Sequence, residues 1–583
     1  MRCGTPVRAL NQRAGRRALA ACLLVACSVV PRASRGQDRD TLAFAVAARA
    51  LVAERDAPLA RRGVGTGRAS LRDLYGGAQP RPIWTTGGRP TAPALAVIAF
   101  LATVETRGLR PADYEASALG AEAATLAATG TAAEAPRLAR FDVDLSRALM
   151  RLLAHLHAGR VDPGMLRFHL PETHLQIDLV RLALDVSEAS DPTAAITATE
   201  PRYAGYALLE SSLARYRLLA ADTTLVLPRF PLMPVRPGDL LEDALALRRL
   251  LRALGDLRVA DSVGDSLDAR RYTPDLAAAI VRFQRRHALE PDGIIARATI
   301  RELRVPLALR VRQIELTLER WRWLPDTPPE RYAVVNIPAF HLLVFEHDSL
   351  ARQPVLEMSV IVGQAAGKRG TPVFAGTMEE VVFRPYWDVP LSIARQELIP
   401  QSRRQSGFFA REALEMVRGG DDDATVYAPS ADNAARVEAG TLRLRQRPGP
   451  GNALGLAKFV FPNSHNVYLH GTPAQELFSR TRRDFSHGCI RVADPVALAA
   501  LVLRDQDDWS RATIEAAMAG DRTRRVRIAH PVAVYILYAT VVAGADGVVK
   551  FYPDLYGHDA MLARALRLTR RRAESRPQAA ATY

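Results

Sequence analysis

Cysteine is scarce in this chain. Four cysteines occur in 583 residues, and three of them, Cys3, Cys22 and Cys27, lie close to the N-terminus. The fourth, Cys489, is hundreds of residues away from the others. A fold held by several disulfides and a zinc site built from several thiolates are therefore excluded for the body of the chain. A lone cysteine is either a small buried side chain or one with a chemical use.

Lysine is rarer still. Only Lys368, Lys458 and Lys550 are lysines among 78 basic residues, the other 75 are arginines, and the formal net charge is +16. A basic chain can indicate nucleic-acid binding. In this chain the arginines are scattered through an alanine-rich sequence, which indicates codon usage rather than a phosphate-binding surface. We therefore expect no nucleic-acid partner, and the charge also suits contact with an anionic cell envelope.

A run of about 20 apolar residues, the length that spans a membrane, is missing. Residues 1–17 instead contain five arginines and no acid, 18–30 are apolar, and small or polar residues continue to Gln37. This order is typical of a secretory signal peptide, which we place at 1–37. Residues 24–27, LVAC, also resemble a lipoprotein box that would make Cys27 a lipidated first residue, and an uncleaved anchor is a further alternative.

Export makes the fourth cysteine more informative. We expect a protein of the periplasm or cell envelope, in contact with the membrane only through the signal or a lipid anchor. Removal of the signal would leave Cys489 as the single free thiol of the exported chain. Because a free thiol is a liability in an oxidising compartment, its presence there indicates a use.

The first large part of the chain, 38–230, has the apolar period of helices. In 147–161, RALMRLLAHLHAGRV, four leucines fall on one helical stripe. A proline-rich linker, 227–239, then leads to 272–303, YTPDLAAAIVRFQRRHALEPDGIIARATIREL. The FQ, DG and T positions of this segment resemble the core of a three-helix peptidoglycan-binding module, placed at 231–306, although Ala296 stands where a glycine is usual. Glycan binding and a spacer role are both open.

The period changes from 3.6 to 2 after a connecting helix at 307–330. Alternating segments such as 355–363, VLEMSVIVG, and 458–462, KFVFP, predict strands of a mainly β unit over 331–520. A helix-rich, arginine-rich insertion at about 393–445 interrupts this unit, and 521–583 is a C-terminal extension. The predicted fold class is therefore a multidomain α+β protein: a helical scaffold, a small three-helix module and a mainly β catalytic domain with a helical capping insertion.

The residues around the lone cysteine suggest a nucleophile. Alternation in the strand NVYLH places Asn466, Tyr468 and His470 on one face, and SHGC follows at 486–489 with Gly488 directly before the thiol. The glycine lets backbone N–H groups approach a substrate. A thiol needs a base or cation to become a thiolate, and two histidines are candidates. Metal binding is the alternative, with ligands His465, His470, His487 and Cys489, although their spacing is not that of a paired zinc motif.

The HGT and SHGCIRV segments resemble the active-site signature of the L,D-transpeptidases, the cysteine enzymes that cross-link bacterial peptidoglycan. The likeness to the long periplasmic YcbB-like branch, with a YkuD-type catalytic domain, covers nearly the whole mature chain. Segments that carry it are LYGGAQPRPIWTTGG (74–88), RGLRPADY (107–114), HAGRVDP (157–163), VGQAAGKRGTPVF (362–374), FRPYWDVPLSIARQELIP (383–400), RLRQRPGPGNALG (443–455), FPNSHNVYLHGTP (461–473) and FYPDLYGHD (551–559).

The resemblance implies a role for each matching position. Cys489 would be the nucleophile, His470 the general base and the carbonyl of Gly471 the group that orients its ring. His487 would be a second histidine lining the site, and N–H groups of Gly488 and Cys489 would form the oxyanion hole. The positions implied to contact the substrate are Tyr386, Trp387, Tyr468, Thr472, Ser486 and Arg491, with core or salt-bridge roles open for Tyr386, Trp387 and Arg491.

The resemblance also implies the reaction. The thiolate would attack a tetrapeptide stem at the L-centre of diaminopimelate, release D-alanine, and pass the acyl group to a diaminopimelate amine as a 3→3 cross-link in cell-wall biogenesis and cell shape. No cofactor is implied, carbapenems would acylate the cysteine, and the partners would be peptidoglycan stem peptides and glycan, with cell-wall synthases possible. The alternatives are an L,D-carboxypeptidase, with water as acceptor, and a non-catalytic wall-binding scaffold.

Overall fold

The computed structural model describes residues 32–55, 70–77, 80–130, 133–171, 177–258, 270–346, 353–367, 369–420 and 424–574. The predicted signal peptide, the LVAC segment and Cys27 lie outside the described residues, apart from the start of the first helix. None of the helices in the described part of the chain combines the length and the apolar character that a membrane span needs.

Helices make up most of the chain before residue 330 and recur between the later strands. In chain order they are α1 (Arg32–Arg55), α2 (Leu71–Tyr75), α3 (Ala92–Thr103), α4 (Ala116–Thr129), α5 (Ala135–Ala158), α6 (Leu179–Glu188), α7 (Pro192–Thr197), α8 (Ala204–Ala221), α9 (Ala244–Leu254), α10 (Pro274–Arg286), α11 (Arg297–Leu303), α12 (Leu307–Trp321), α13 (Leu391–Ile393), α14 (Ile399–Arg404), α15 (Phe408–Arg411), α16 (Ala431–Glu438), α17 (Pro495–Val502), α18 (Arg511–Ala519) and α19 (His558–Glu574).

The strands begin with a two-stranded ribbon and continue mostly after residue 330. They are β1 (Thr85–Thr86), β2 (Arg89–Pro90), β3 (Arg331–Asn336), β4 (His341–Glu346), β5 (Leu356–Gly363), β6 (Phe374–Phe383), β7 (Trp387–Asp388), β8 (Leu414–Arg418), β9 (Thr425–Tyr427), β10 (Arg443–Gln446), β11 (Ala457–Val460), β12 (Leu469–His470), β13 (Asp484–Ser486), β14 (Ile490–Val492), β15 (Arg524–Leu537), β16 (Val541–Ala543) and β17 (Val549–Phe551).

Helix α5 is the centre of the N-terminal helical part, as the leucine stripe predicts. Leu149, Leu152, Leu153 and Leu156 are all fully buried. They belong to one apolar cluster with side chains of α1, α3, α4 and α6. Because helices of this kind are stabilised mainly by burying an apolar face, this cluster accounts for α1 to α7 as a unit. Helix α8, also placed in the scaffold by the prediction, instead packs in a cluster with α12 and strands of the catalytic unit.

The small module, α9 to α11, has its own apolar core. Its signature residues hold that core together. The side chain of Gln284 donates to Asp292 Oδ1 at 2.9 Å and to Thr299 Oγ1 at 3.1 Å, and accepts from Gly293 N at 2.9 Å. Gly293 has a φ of +71°, which favours glycine. The FQ, DG and T positions are therefore core and turn residues, and they specify the fold rather than a binding surface.

The mainly β unit is built on a nine-stranded sheet in the order β13-β5-β14-β12-β11-β6-β15-β3-β4. Strand β15 lies between β6 and β3, pairing antiparallel with the first and parallel with the second. The segment 521–583, predicted as an extension beyond the catalytic unit, therefore supplies a central strand of that unit. The alternation of this strand is interrupted by a register shift between Arg527 and Val532, a stretch that contains Pro531.

The insertion differs from the helix-rich prediction. It contains the short helices α13 to α16 and a π-helical turn at Ala394–Leu398, and also a four-stranded sheet in the order β7-β10-β8-β9. It has a core of its own. Strand β10 reads Arg443-Leu444-Arg445-Gln446, and its arginine side chains concealed the strand pattern from a search for apolar alternation.

A buried carboxylate joins the scaffold to the helix that leads into the catalytic sheet. Glu319 of α12 is fully buried and accepts hydrogen bonds from Val161 N at 3.0 Å and Arg160 Nε at 3.0 Å. The fully buried Arg322 guanidinium lies 3.6 Å from the same carboxylate. Burial alone would raise the pKa of Glu319, but Arg160 and Arg322 hold it below 4.5. Glu319 is therefore ionised at neutral pH.

Replacing Glu319 by alanine should destabilise the protein by roughly 3–5 kcal/mol, because the Arg322 guanidinium would remain buried without its counter-charge. Chemical denaturation measures this loss. The matched control is Glu515→Ala, which removes an ion pair with Arg511 whose side chains are 53% and 63% exposed. It should cost less than about 0.5 kcal/mol, and equal losses in the two variants would contradict this account of Glu319.

Candidate active site

The cysteine and the first histidine are brought together by the pairing of two short strands. β12 and β14 run parallel, with Leu469 opposite Ile490 and His470 opposite Arg491. The carbonyl of Tyr468 accepts from Ile490 N at 3.1 Å, which extends the contact by one residue. Since side chains alternate along a strand, Tyr468, His470, Cys489 and Arg491 fall on the same side of the sheet.

The predicted alternation does not extend to Asn466. This residue has a φ of +54°, outside the strand conformation, and β12 covers only two residues. Its side chain is therefore not placed by strand alternation. Its carbonyl oxygen lies 3.7 Å from the sulfur of Cys489 and accepts a weak hydrogen bond from the thiol. The prediction from period 2 failed here because the chain turns before the strand begins.

The thiol of Cys489 is free and half-buried. Burial raises its pKa above 9.0, and contacts with Tyr468 together with the positive charges of Lys458 and Arg491 oppose that rise. The resting side chain is therefore a protonated thiol at neutral pH. Because a thiolate is the reactive form of cysteine, a base must take this proton during reaction.

Lys458 is a site residue that the sequence pattern did not reveal. It lies on β11, directly opposite His470 on β12, and its ammonium nitrogen is 4.1 Å from the ring centroid of Tyr468. The Tyr468 hydroxyl is buried against the thiol; burial, Cys489 and Asp388 all raise its pKa. The signal that could have found Lys458 is a rare lysine at the start of the predicted strand KFVFP, which comes directly before the histidine strand in the sequence.

His470 is buried and fixed in orientation. Its Nδ1 donates to the carbonyl of Gly471 at 2.6 Å, which leaves Nε2 as the unprotonated, accepting nitrogen. Burial lowers the pKa of His470 to about 3, and the charge of Arg491 adds to the effect. The ring is therefore neutral at physiological pH and able to accept a proton, and it is not a resident cation that would stabilise a thiolate.

His487 has a different set of neighbours. Its Nε2 lies 2.7 Å from Glu397 Oε1 of the insertion and 2.9 Å from Arg369 Nη1. The two histidines named by the motif thus have different surroundings. One is buried next to the cysteine strand, and the other faces a charged pair at the outer edge of the site.

The loop that carries the cysteine is braced by two hydroxyl groups. Ser486 Oγ donates to the carbonyl of Cys489 and accepts from Gly488 N at 3.2 Å. Thr371 Oγ1 donates to the carbonyl of Gly488 at 2.8 Å. Gly488 has a φ of +120°, which a residue with a side chain rarely adopts. The N–H of Gly488, expected in an oxyanion hole, is therefore held by Ser486 in the resting structure.

The other residues predicted to contact the substrate are divided between the cysteine site, a turn and the insertion. Thr472 is buried and its Oγ1 accepts from Ala474 N at 3.2 Å, so it stabilises a turn. The Arg445 guanidinium stacks on Tyr386 at 4.3 Å, and Trp387 packs on the core of the insertion. Arg491 is half-buried beside the thiol, and its Nε has no hydrogen-bond partner among the described residues.

The four residues of the metal alternative do not converge. The ring of His465 lies 4.9 Å from those of His169 and Phe374, and His487 faces Glu397. Across the described ranges of the chain, no group of three or more His, Cys, Asp or Glu side chains is arranged to hold a metal ion. The side chains around Cys489 instead suit proton transfer and nucleophilic attack.

Comparison with known proteins assigns families to three parts of the chain. Residues 330–528 match the family model of the L,D-transpeptidase catalytic domain, YkuD. The chain carries an L,D-transpeptidase domain. Residues 241–303 match a "putative peptidoglycan binding domain", and residues 69–213 match a scaffold domain. The chain is also similar to a protein of Haemophilus influenzae named "Putative L,D-transpeptidase", at 28% identity over 251 residues, 43% of this chain and 48% of that protein. The match thus spans about half of that relative.

Alanine at Gly488 should disturb the transpeptidase loop through backbone strain, at a cost of about 1–3 kcal/mol in stability, and should slow alkylation of Cys489. Gly547→Ala is the matched control, since Gly547 has a φ of +75° and a Cβ there would meet nothing within 4 Å. Both variants should lower the unfolding midpoint, but only the first should change the alkylation rate. Unchanged alkylation of Gly488→Ala would contradict the strain account of this loop.

The pH dependence of the Cys489 thiol should follow from the two pKa shifts. Because His470 is neutral down to a pKa of about 3, the alkylation rate with iodoacetamide should show no step near pH 6–7. It should rise only as the thiol, with its pKa above 9.0, deprotonates. Lys458→Met removes a positive charge and should move that rise upward by about one pH unit. Lys550→Met, on β17, should leave the profile unchanged; a shift of equal size in both variants would contradict a local role for Lys458.

Proposed function

We propose that this protein is a peptidoglycan L,D-transpeptidase that forms 3→3 cross-links through a thioester on Cys489. The observation that carries the proposal is the position of a neutral, oriented His470 one strand away from a protonated thiol, within the segment that matches the catalytic domain. The family match supports L,D-transpeptidase activity in general. The cysteine mechanism and the type of cross-link are our inferences.

The first half of the reaction is acylation. Nε2 of His470 takes the thiol proton as the sulfur attacks the carbonyl carbon at the L-centre of diaminopimelate in a tetrapeptide stem. A carbon–sulfur bond forms and the carbonyl oxygen becomes an oxyanion. When the intermediate collapses, the carbon–nitrogen bond to D-alanine breaks and His470 returns the proton to the departing amine. The product is a thioester and free D-alanine, with no net change in redox state.

The second half is transfer to the acceptor. The side-chain amine of diaminopimelate on a neighbouring stem attacks the thioester, and His470 accepts its proton. The carbon–sulfur bond breaks, an amide forms, and the proton returns to the thiolate. The low pKa of His470 favours return of the proton at each step, so the imidazolium is a transient species.

The choice of base rests on burial and hydrogen bonding. His470 is 4% exposed, and its Nδ1 is committed to the carbonyl of Gly471, an arrangement that presents Nε2 as the acceptor. His487 has Glu397 and Arg369 as neighbours. For the oxyanion we assign the N–H of Cys489, joined by that of Gly488 once it leaves Ser486 Oγ.

The accessory units support the same substrate. The matches to peptidoglycan-acting domains indicate the cell envelope, and we infer that the chain is exported by its N-terminal segment. The small module contacts the catalytic unit through Glu290 Oε2, which accepts from Thr481 Oγ1 at 2.9 Å. Such a contact would keep the module beside the strand edge that leads to the cysteine. Peptidoglycan stem peptides and glycan are the proposed partners, and cell-wall synthases are proposed as further ones.

The direct test is intact-mass measurement after mixing the protein with a tetrapeptide stem. The wild type should gain the mass of the stem peptide minus D-alanine, and Cys489→Ala should gain none. His470→Ala should acylate at least about a hundredfold more slowly, the usual contribution of a positioned base. His487→Ala leaves that base in place and should be slowed by about tenfold at most. Meropenem should form an adduct with the same dependence on Cys489.

The acceptor is tested with the same sample. Adding a second stem with a free diaminopimelate amine should yield 3→3 dimers, detected by mass spectrometry of the digest. Release of tripeptide without dimers would show water as the acceptor and replace the proposal by L,D-carboxypeptidase activity. Absence of any adduct on the wild type, or an equal adduct on Cys489→Ala, would refute the cysteine mechanism.

A further inference from the structure

Three charged or titratable side chains from separate segments meet beside the cysteine loop. Arg369 belongs to the loop after β5, His487 lies two residues before Cys489, and Glu397 belongs to the π-helical turn of the insertion. Arg369 Nη2 and His487 Nε2 lie 2.9 Å and 2.7 Å from one oxygen of Glu397, Oε1. Arg369 Nη1 lies 2.9 Å from His487 Nε2. A guanidinium and an imidazole thus converge on a single carboxylate.

Two of the three are held firmly by the catalytic unit. Thr371, two residues after Arg369, bonds to the carbonyl of Gly488 at 2.8 Å. Gly370, which directly follows Arg369, packs against the ring of Tyr556. A Cβ added at Gly370 would lie 3.4 Å from that ring. The backbone that carries Arg369 is therefore held against the cysteine loop, in which His487 lies two residues before the nucleophile.

Glu397 is attached differently. The insertion that carries it has a separate core and its own sheet, so the carboxylate can leave without disturbing the nine-stranded sheet. The three side chains are 35%, 30% and 31% exposed for Arg369, Glu397 and His487. An ion pair this exposed adds little to stability, and another carboxylate from solution can replace Glu397.

A stem peptide brings carboxylates to this place. The scissile carbonyl must lie at Cys489, and the D-alanine beyond it ends in a free carboxylate; the diaminopimelate side chain carries a second one. Arginine forms paired hydrogen bonds with carboxylates. The Arg369 guanidinium, beside His487 in the cysteine loop, therefore matches the negative charge that the substrate carries on either side of the bond that breaks.

We propose that Arg369 and His487 form the binding site for a carboxylate of the stem peptide, and that Glu397 occupies this site when no substrate is bound. This inference rests on the proposed function. It makes Arg369 a specificity-determining residue and the insertion a reversible cover whose own carboxylate competes with the substrate. Substrate binding breaks the contact of Glu397 and frees the insertion to move.

The test compares three tetrapeptides by their kcat/KM for D-alanine or D-alaninamide release. One has both carboxylates, one has a C-terminal amide, and one has the diaminopimelate side-chain carboxylate converted to an amide. With the wild type, one of the two amides should be at least about tenfold poorer than the parent peptide, the effect of losing one charged hydrogen bond. Which amide is poorer identifies the carboxylate that is bound.

Variants then test whether Arg369 and Glu397 cause the preference for the parent peptide over the poorer amide. Arg369→Ala should lower the rate for the parent peptide to that of the poorer amide and leave the rate for that amide unchanged. Glu397→Gln should raise kcat/KM for the parent peptide by lowering KM, because the competing charge is gone. The matched controls are Arg403→Ala and Glu438→Gln, which break an ion pair of 2.8 Å within the insertion and should change neither quantity.

The failures can be told apart. If the wild type releases no amine from any of the three peptides, the proposed function and this inference both fall. If the wild type is active but treats all three alike, or if Arg369→Ala slows all three equally, only the inference is overturned. Should Arg369→Ala not fold, Glu397→Gln still decides, since an unchanged or higher KM for the parent peptide contradicts competition by Glu397.

Discussion

The parallel pairing of β12 with β14 is the constraint on which the proposed site depends. It places Tyr468 and His470 from one strand beside Cys489 and Arg491 at the start of the other. His470 and Cys489 lie nineteen positions apart in the sequence, so only the register of this sheet makes them neighbours. On its other side β14 pairs with β5. On its other side β12 pairs with β11, and this pairing places Lys458 opposite His470. The chemistry is thus supported by the centre of the sheet rather than by a flexible loop.

The electrostatics of this site favour a neutral resting pair. Burial raises the pKa of the thiol and lowers the pKa of the imidazole, so neither group is charged before substrate binds. Lys458 and Arg491 oppose the first effect and strengthen the second. Such an arrangement protects the thiol from oxidation, since the thiolate is the form that oxidises, and leaves proton transfer to the moment of attack. At the outer edge, the ion pair of Arg369 with Glu397 carries the charges that the inner site avoids.

Much of the fold could be predicted from periodicity. The leucine stripe of α5, the FQ and DG positions of the small module and the change to period 2 after residue 325 all correspond to elements of the structure, because each is set by local burial. The role of Gly471 as a ring acceptor was implied by family resemblance alone, and the structure places its carbonyl against His470. Local sequence patterns could not predict contacts between residues that are far apart in the chain. Lys458 lies in the site because β11 pairs with β12, and Glu397 contacts His487 because of the way the insertion folds. The central strand β15 has a register shift between Arg527 and Val532 that breaks its alternation.

The central claim is that a neutral, buried His470 accepts the thiol proton. Nitrogen NMR of histidine-labelled protein tests it most directly, with the His470 signals assigned by comparison with His470→Ala. We expect a neutral ring with the proton on Nδ1, and no titration from neutral pH down to about pH 4, since burial lowers the pKa of His470 to about 3. A ring that becomes protonated near pH 6–7, or a neutral ring with the proton on Nε2, would contradict this claim.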